Sequence, residues 1–148
     1  RTWLAPEGGK ALLPDPRRAL GDLHGNGVWL RHDDPQKPSG TLLIGEGVET
    51  VLSLRDAIPA GALVAALSAS HLAAFLLPSW VRHLVIARDN DPAGIRAARK
   101  LAARAEALGI SVTILSPVLK DFNADLRQLG CEVLISTIQR QLPALLAA

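Results

Sequence analysis

One stretch decides the fold that this sequence predicts: Leu-Val-Ile-Ala-Arg-Asp-Asn-Asp-Pro-Ala-Gly-Ile-Arg, residues 84–96. Its apolar beginning is typical of a buried parallel strand. Pro92 is suited to the first turn of a helix, where its missing N–H is not needed. In open α/β sheets, ligands bind at the carboxyl ends of the strands. Asp89 and Asp91 are therefore predicted to lie where such a fold carries out its chemistry.

Asp89 and Asp91 are two residues apart, so their side chains point the same way on an extended segment. At about 4–5 Å and an effective dielectric constant near 20, two carboxylates repel each other by roughly 3–4 kcal/mol. A proton, a bridging Arg or Lys, or a divalent cation would relieve that repulsion. Oxygen ligands favour Mg²⁺, Mn²⁺ or Ca²⁺. Capping of the helix that begins at Pro92 would account for Asp91 but not for Asp89.

Around this stretch, short apolar runs alternate with helical patterns. Four strands are predicted, at residues 41–44, 63–67, 83–87 and 111–115. Helices are predicted at residues 48–57, 71–77, 92–108, 122–129 and 132–142. Repeated βα units imply an α/β fold with a four-stranded, mainly parallel sheet that is flanked by helices on both faces.

The chain of 148 residues divides into three predicted parts. Residues 1–40 are rich in Gly, Pro and charge, and form a short β-rich lead-in and linker with strands near residues 2–4 and 27–31. Residues 41–130 form the α/β core, and residues 131–148 form a C-terminal helix packed on it. The sequence has no Met and begins with Arg1, so we expect a fragment of a longer protein.

Composition narrows the possible classes. The net charge of +2 provides no overall basic field that would indicate nucleic-acid binding. The single cysteine, Cys131, excludes an internal disulfide framework and indicates a reducing compartment, so we expect a cytoplasmic protein. No apolar run reaches membrane-spanning length, so no membrane partner is expected. The histidines show no ligand spacing with Cys131, which argues against zinc.

Further carboxylates follow other predicted strands. Glu46 follows the first strand, and Asp121 and Asp125 follow the fourth. Parallel strands would bring these residues to the same edge as Asp89 and Asp91. Several converging carboxylates need counter-charge, and the sequence therefore predicts a divalent metal site at this edge.

Two other interpretations of these residues stay open. Arg88 and Lys120 could neutralise the carboxylates without a metal. The segment Gly45-Glu46-Gly47 could begin a dinucleotide-binding fingerprint, but Thr50 stands at the third glycine position and a carboxylate would repel the pyrophosphate. Glycines on both sides of Glu46 instead favour close approach of a ligand or metal.

Three motifs resemble the Toprim domain, the metal-binding core of bacterial-type primases, type IA and II topoisomerases, and some nucleases and repair proteins. They are Gly-Glu-Gly-Val-Glu-Thr-Val-Leu-Ser-Leu at 45–54, Asp-Asn-Asp-Pro-Ala-Gly at 89–94 and Lys-Asp-Phe-Asn-Ala-Asp-Leu at 120–126. The order of a Glu motif, a D-x-D motif and a late Lys-Asp-x-Asn motif most resembles that of primases and primase-helicases, in particular the primase-like proteins of mobile elements and plasmids. The resemblance implies a Rossmann-like Toprim catalytic core over residues 41–130.

The resemblance also implies roles for the acidic residues. Glu46 matches a glutamate that acts as general acid/base or metal ligand, and Asp89 and Asp91 match the metal-binding pair. These three are the expected catalytic residues. Asp121 and Asp125 complete the expected metal-binding set, with Mg²⁺ or Mn²⁺ as cofactor. Nucleotidyl transfer requires cations that neutralise phosphate oxygens and activate a 3′-hydroxyl.

The partners implied by the resemblance are a single-stranded DNA template and nucleotides, with helicase and zinc-binding modules in the full-length protein. The candidate contacts to nucleotides or nucleic acid are Lys10, Arg17, Arg18, Arg31, Lys120 and Asn123. Trp29 is a candidate for stacking on a base. Arg96, Lys100 and Arg104 recur every fourth residue and are expected to form a stripe that faces solvent.

The expected function is a metal-dependent nucleotidyl-transfer core of a primase-like protein, and three others stay open. A Toprim nuclease or topoisomerase core would use the same metals, but a topoisomerase needs a nucleophilic Tyr and the sequence has none. A haloacid-dehalogenase-like phosphatase carries D-x-D on its first strand and needs Thr or Val where Ala93 stands. The third is a non-catalytic module that binds DNA or a protein.

Overall fold

The computed structural model describes residue 3 and residues 5–9, 11–14, 23–58 and 61–142. The first half of the described chain contains β1 (Val28–Arg31), β2 (Thr41–Gly45), α1 (Val48–Ser53), β3 (Ala62–Ala65) and α2 (Ala69–Ala74). The second half contains β4 (His83–Ala87), α3 (Pro92–Ala107), β5 (Ser111–Leu115), α4 (Phe122–Leu129) and α5 (Cys131–Gln141). Among these helices, none has the length and apolar character needed to cross a membrane.

The strands form one sheet in the order β1-β3-β2-β4-β5. β2 pairs in parallel with β3 and β4, and β5 pairs in parallel with β4. The predicted α/β fold with a mainly parallel sheet is thus confirmed. The sheet has five strands instead of four because β1, which belongs to the lead-in, pairs antiparallel with the free side of β3. The strand predicted at residues 2–4 lies mostly outside the described residues.

The sheet is buried on both faces, as its apolar strands require. Successive residues of a strand point to opposite faces, so each central strand supplies two separate layers of core. One layer joins the sheet to α2 and α3 and includes Leu42, Ile44, Leu84, Ile86, Leu72 and Leu101. The other joins it to α1, α4 and α5 and includes Leu43, Leu63, Val85, Val51, Phe122 and Ile138.

The helix bounds differ from the prediction mainly at α1 and α2. The helix predicted at residues 48–57 ends at Ser53, and residues 54–57 continue as turns.

Arg104 departs from the predicted solvent-facing stripe, because its Nη1 donates to the carbonyl oxygens of Ala73 and Phe75 at 2.9 and 3.0 Å. These bonds satisfy carbonyl groups at the end of α2, where a helix leaves acceptors unpaired.

A substitution at Gly27 tests whether the packing of β1 against β3 contributes to the free energy of unfolding. A Cβ at this position would lie 2.6 Å from Val64 Cγ1 and 2.8 Å from the Ala65 carbonyl oxygen. We expect Gly27→Ala to lower the free energy of unfolding by about 1–3 kcal/mol, since the strand would have to shift away from β3. Gly9→Ala is the control because a Cβ there meets no atom within 4 Å. Equal urea midpoints for both variants would mean that β1 is not packed as described.

Candidate active site

The carboxyl ends of the parallel strands carry the acidic residues. The pairs Gly45–Ala87 and Ala87–Leu115 end the ladders between β2, β4 and β5 at the same level. Glu46 follows β2 directly, Asp89 and Asp91 follow β4, and Asp121 is in the loop after β5. The structure therefore brings these four predicted residues to one edge of the sheet, which we call the acidic edge.

Asp89 is the most unusual group of the acidic edge. Burial raises the pKa of its carboxyl to about 6, and the neighbouring carboxylates of Glu46, Asp121 and Asp91 act in the same direction. Lys120 opposes them, with the smallest influence. Oδ1 of Asp89 is buried and has no hydrogen-bond partner among the described residues. Buried polar atoms are normally paired, so this oxygen is suited to a ligand that the protein itself does not provide.

Asp91 and Asp121 each begin a helix. Oδ1 of Asp91 accepts a hydrogen bond of 2.7 Å from the Gly94 amide at the start of α3. Oδ1 of Asp121 accepts one of the same length from the Ala124 amide at the start of α4. Each cap uses a single carboxylate oxygen, so capping and binding of a cation are compatible roles for these residues.

Glu46 is positioned by its own backbone. The carbonyl oxygen of Glu46 accepts a 2.7 Å hydrogen bond from the amide of Leu67, and that of Gly45 accepts one of 2.9 Å from Ala66. Leu67 has φ of 72°, a left-handed conformation that costs a side chain with a Cβ about 1–2 kcal/mol. Sequence reasoning missed Leu67, because an apolar residue after an apolar strand carries no sign of unusual backbone geometry.

Gly45 and Gly94 allow close packing beneath the acidic residues. A Cβ on Gly45 would lie 2.9 Å from Val51 Cγ2, so this glycine accommodates α1 and not a ligand beside Glu46 as the sequence had suggested. A Cβ on Gly94 would lie 2.9 Å from the carbonyl oxygen of Asp89. Gly94 was not predicted as a site residue. Its position in the first turn of a helix, where glycine is unfavourable, was the available indication.

Asn90 joins the two loops that carry the aspartates. The backbone N–H of Asn90 donates to the carbonyl oxygen of Lys120 at 2.8 Å, and its side-chain Nδ2 donates to the carbonyl oxygen of Leu119 at 3.0 Å. Arg88 donates to Ser116 Oγ at 2.9 Å and to Asn90 Oδ1 at 3.0 Å. The guanidinium of Arg88 is therefore bound to neutral groups. This arrangement argues against the interpretation in which Arg88 neutralises the carboxylates.

Asp125 lies inside the loop after β5. Its side chain is 1 % exposed, and its two oxygens accept hydrogen bonds from the amides of Val118 and Leu119 at 2.8 and 2.7 Å. Because α4 turns this residue inward, its carboxylate holds the loop that contains Lys120 and Asp121. Because this carboxylate is buried and already holds two backbone amides, its contacts favour the role of a loop anchor over that of a metal ligand.

The predicted contacts to nucleic acid are dispersed. Lys120 is exposed at the acidic edge, and Asn123 is half-buried in the first turn of α4. Arg31 lies at the opposite edge, where its Nε and Nη2 donate to the carbonyl oxygens of Gly61 and Ile58 at 2.7 and 2.8 Å. The antiparallel direction of β1 places its last residue beside the start of β3 and away from the acidic edge. Lys10, Arg17 and Arg18 lie outside the described residues.

Trp29 packs among other rings of the protein. It stacks on His32, with centroids 5.3 Å apart and planes at 10°, and its centroid lies 6.4 Å from those of Phe75 and Trp80. It also contacts the core layer between the sheet and α2 and α3. Packing within the protein therefore accounts for the position of Trp29 without a base stacked on it.

The donor set of the acidic edge fits a hard divalent cation, since it consists of carboxylate oxygens. As they stand, no three His, Cys, Asp or Glu side chains of the described ranges surround a common point at ligand distance. The carboxylates of Glu46, Asp91 and Asp121 are close enough to raise the pKa of Asp89 without converging on one position. The unpaired, buried Oδ1 of Asp89 is the observation that favours a cation here.

A family model and one solved structure support this fold. A family model described as the Toprim domain matches residues 41–132. A search among curated protein sequences gives no match. The crystal structure of the Aquifex aeolicus primase, with its zinc-binding and RNA polymerase domains, is similar over 68 % of this chain and 26 % of its own, with 23 % identity and a TM-score of 0.51.

Two further solved structures are similar in part. A DNA primase domain from Pseudomonas aeruginosa has 23 % identity and a TM-score of 0.49, over 68 % of this chain and 33 % of its own. The primase fragment of the bacteriophage T7 primase-helicase protein has 16 % identity and a TM-score of 0.48, over 69 % of this chain and 43 % of its own. This chain thus spans less than half of each of the three structures.

The raised pKa of Asp89 predicts an unusual pH dependence of stability. Between the ordinary value of 3.8 and about 6, the folded chain retains a proton that the unfolded chain releases, so this group destabilises the fold as the pH rises. We expect Asp89→Asn to raise the free energy of unfolding by about 1 kcal/mol at about pH 8, after allowance for solvent screening. The gain should shrink as the pH falls through about 6 and vanish below the ordinary value of 3.8, where the Asp89 carboxyl is protonated in both states and both side chains are neutral.

Urea unfolding in the presence of a chelator measures this gain. Asp56→Asn is the control, because the hydrogen bond and charge of Arg55 lower the pKa of the exposed Asp56 carboxyl. That variant should not gain stability at about pH 8. An Asp89→Asn variant that is less stable than the wild type at the higher pH would contradict the electrostatic account.

Proposed function

This chain belongs to the Toprim domain family, and on that premise we propose that it is the metal-dependent nucleotidyl-transfer core of a primase-like protein. Toprim domains generally bind divalent metals. The observation that carries the proposal is the buried, unpaired Oδ1 of Asp89, a residue whose charge the nearby carboxylates of Glu46, Asp121 and Asp91 disfavour. The similarity to the Aquifex primase structure supports the fold on which the proposal rests.

Glu46, Asp89 and Asp91 are the residues proposed to hold Mg²⁺ or Mn²⁺, with Asp121 as a further ligand. When bound, such a cation neutralises phosphate oxygens and lowers the pKa of an attacking hydroxyl. Helix caps and the Asn90 contacts fix the loops that carry these residues. Binding of a cation would therefore require the side chains on these fixed loops to turn toward a common point.

The proposed reaction joins a 3′-hydroxyl to the α-phosphate of a nucleoside triphosphate. The oxygen–phosphorus bond forms as pyrophosphate leaves, and the hydroxyl proton passes to the Glu46 carboxylate, which acts as general base. Lys120 is exposed beside Asp89 and would attract the phosphates. Asn123, in the first turn of α4, would donate a hydrogen bond to the nucleotide.

The partners of the whole protein belong to the same proposal. We expect a single-stranded DNA template and nucleotides at the acidic edge, and a helicase and a zinc-binding module elsewhere in the full-length chain. Of the similar proteins, the Aquifex aeolicus primase has a zinc-binding domain, and the bacteriophage T7 protein is a primase-helicase. We also propose that the protein acts in the cytoplasm.

Cation binding can be measured without activity. Millimolar Mg²⁺ or Mn²⁺ should raise the Tm of the chain by a few degrees, because a ligand at 100 times its Kd adds about 2.7 kcal/mol to stability. Asp89→Ala should abolish the rise. Glu106→Ala, which removes an exposed carboxylate from α3, should retain it. If neither cation changes the Tm of the wild-type chain, the proposed metal site is contradicted.

Nucleotidyl transfer can be assayed with single-stranded DNA, labelled ribonucleotides and Mn²⁺. We expect labelled products longer than the nucleotides, and a loss of about 10²-fold or more in Glu46→Gln, since that variant lacks the proposed base. Glu49→Gln is the matched control, because Glu49 is exposed in the first turn of α1. Shortening of the DNA, without longer products, would favour phosphodiester cleavage instead.

A further inference from the structure

The side chain of Gln141, in the last turn of α5, pairs with the backbone of Ser116. Its Oε1 accepts a 2.8 Å hydrogen bond from the Ser116 amide, and its Nε2 donates to the Ser116 carbonyl oxygen at 2.9 Å. Nε2 also lies 3.3 Å from the carbonyl oxygen of Thr137, one turn earlier in α5. One side-chain amide thus satisfies both backbone groups of one residue.

The position of Ser116 explains why this pairing is needed. Among the described strands, β5 is the last of the sheet and pairs on one side only, with β4. The Leu115 carbonyl oxygen accepts from the Arg88 amide on the β4 side. Since neighbouring residues of a strand direct their backbone groups to opposite sides, those of Ser116 face away from β4. The side-chain amide of Gln141 thus makes the two hydrogen bonds that a residue of a neighbouring strand would make with Ser116.

The contacts continue from Ser116 to the acidic edge. Ser116 Oγ accepts from Arg88 Nε at 2.9 Å, and Arg88 Nη1 donates to Asn90 Oδ1 at 3.0 Å. The backbone and side chain of Asn90 in turn bind the loop before Asp121. Asn90 is the residue between Asp89 and Asp91. An unbroken series of hydrogen bonds therefore leads from α5 to the D-x-D segment.

We infer that Gln141 is a positioning residue for the acidic edge, which acts through Ser116, Arg88 and Asn90. This inference rests on the proposed function in one respect, namely that the positioned aspartates bind a divalent cation. The packing of α5 does not require the amide, because Leu134, Ile138 and Leu142 supply its apolar contacts with the core. The amide has the separate effect of fixing the end of β5 and, with it, the guanidinium that holds Asn90.

The test uses Gln141→Met, which keeps the length of the side chain and removes both hydrogen bonds. Ser116→Ala breaks the next contact in the series without changing α5. We expect each variant to bind Mn²⁺ roughly three- to tenfold more weakly in calorimetric titration, somewhat less than the loss typical of partners that touch a metal ligand directly. Gln139→Met, at an exposed position of the same helix, should bind Mn²⁺ like the wild type.

Amide hydrogen exchange of the metal-free chain separates positioning from general stability. In Gln141→Met the Asn90 amide should exchange roughly fivefold faster, which corresponds to the loss of about one ordinary hydrogen bond. The amides of Leu42 and Val85, in the central strands, should be unchanged. Equal acceleration of all these amides, or no change at Asn90, would overturn the inference.

The outcomes also distinguish this inference from the proposed function. A wild-type chain that fails to bind Mn²⁺ contradicts the metal site, and the exchange of Asn90 still decides whether Gln141 positions the D-x-D segment. Normal Mn²⁺ binding by both Gln141→Met and Ser116→Ala contradicts the inference alone. Weaker binding by these two variants but not by Gln139→Met supports both.

Discussion

The acidic edge depends on one constraint, which is that three carboxylates are held near the partly buried carboxyl of Asp89. The carboxylates of Glu46, Asp91 and Asp121 all disfavour the charge on Asp89, and burial of Asp89 disfavours it further. No arginine in the described part of the chain relieves this repulsion by an ion pair with Asp89. Helix caps and an asparagine supply the restraint instead, and these neutral groups hold Asp91, Asp121 and their loops in place without cancelling the charge of the two aspartates. An edge built in this way retains its attraction for an external cation.

The sequence predicted the position of the acidic residues along the fold better than the direction of their side chains. A parallel sheet brings the carboxyl ends of its strands to one edge, so Glu46, Asp89, Asp91 and Asp121 could be placed together from strand spacing alone. Spacing does not reveal how a helix rotates its residues. Asp125 therefore counted as a possible ligand, although α4 directs it inward to the amides of the preceding loop.

Other differences arise from tertiary contacts that are absent from local patterns. Arg31 ends at the far edge because β1 runs antiparallel, and no local feature of residues 27–31 fixes that direction. Gly45 and Gly94 contribute by the close approach of Val51 and Asp89, which lie in separate elements from them. The pairing of Gln141 with Ser116 joins positions 25 residues apart, so neither residue alone indicated it.

The two sides of the sheet end in ways that bear on self-association. An open, flat strand is a template on which a second copy of a protein can add its own strand. Here β1 has four residues and its register shifts between Trp29 and Arg31, an irregularity that blunts such a template. On the other side, the outward-facing backbone groups of Ser116 are already occupied by Gln141. At each of these two places a second copy finds fewer backbone groups with which to pair, so the Gln141 side chain that braces the acidic edge also occupies one point at which a foreign strand could attach.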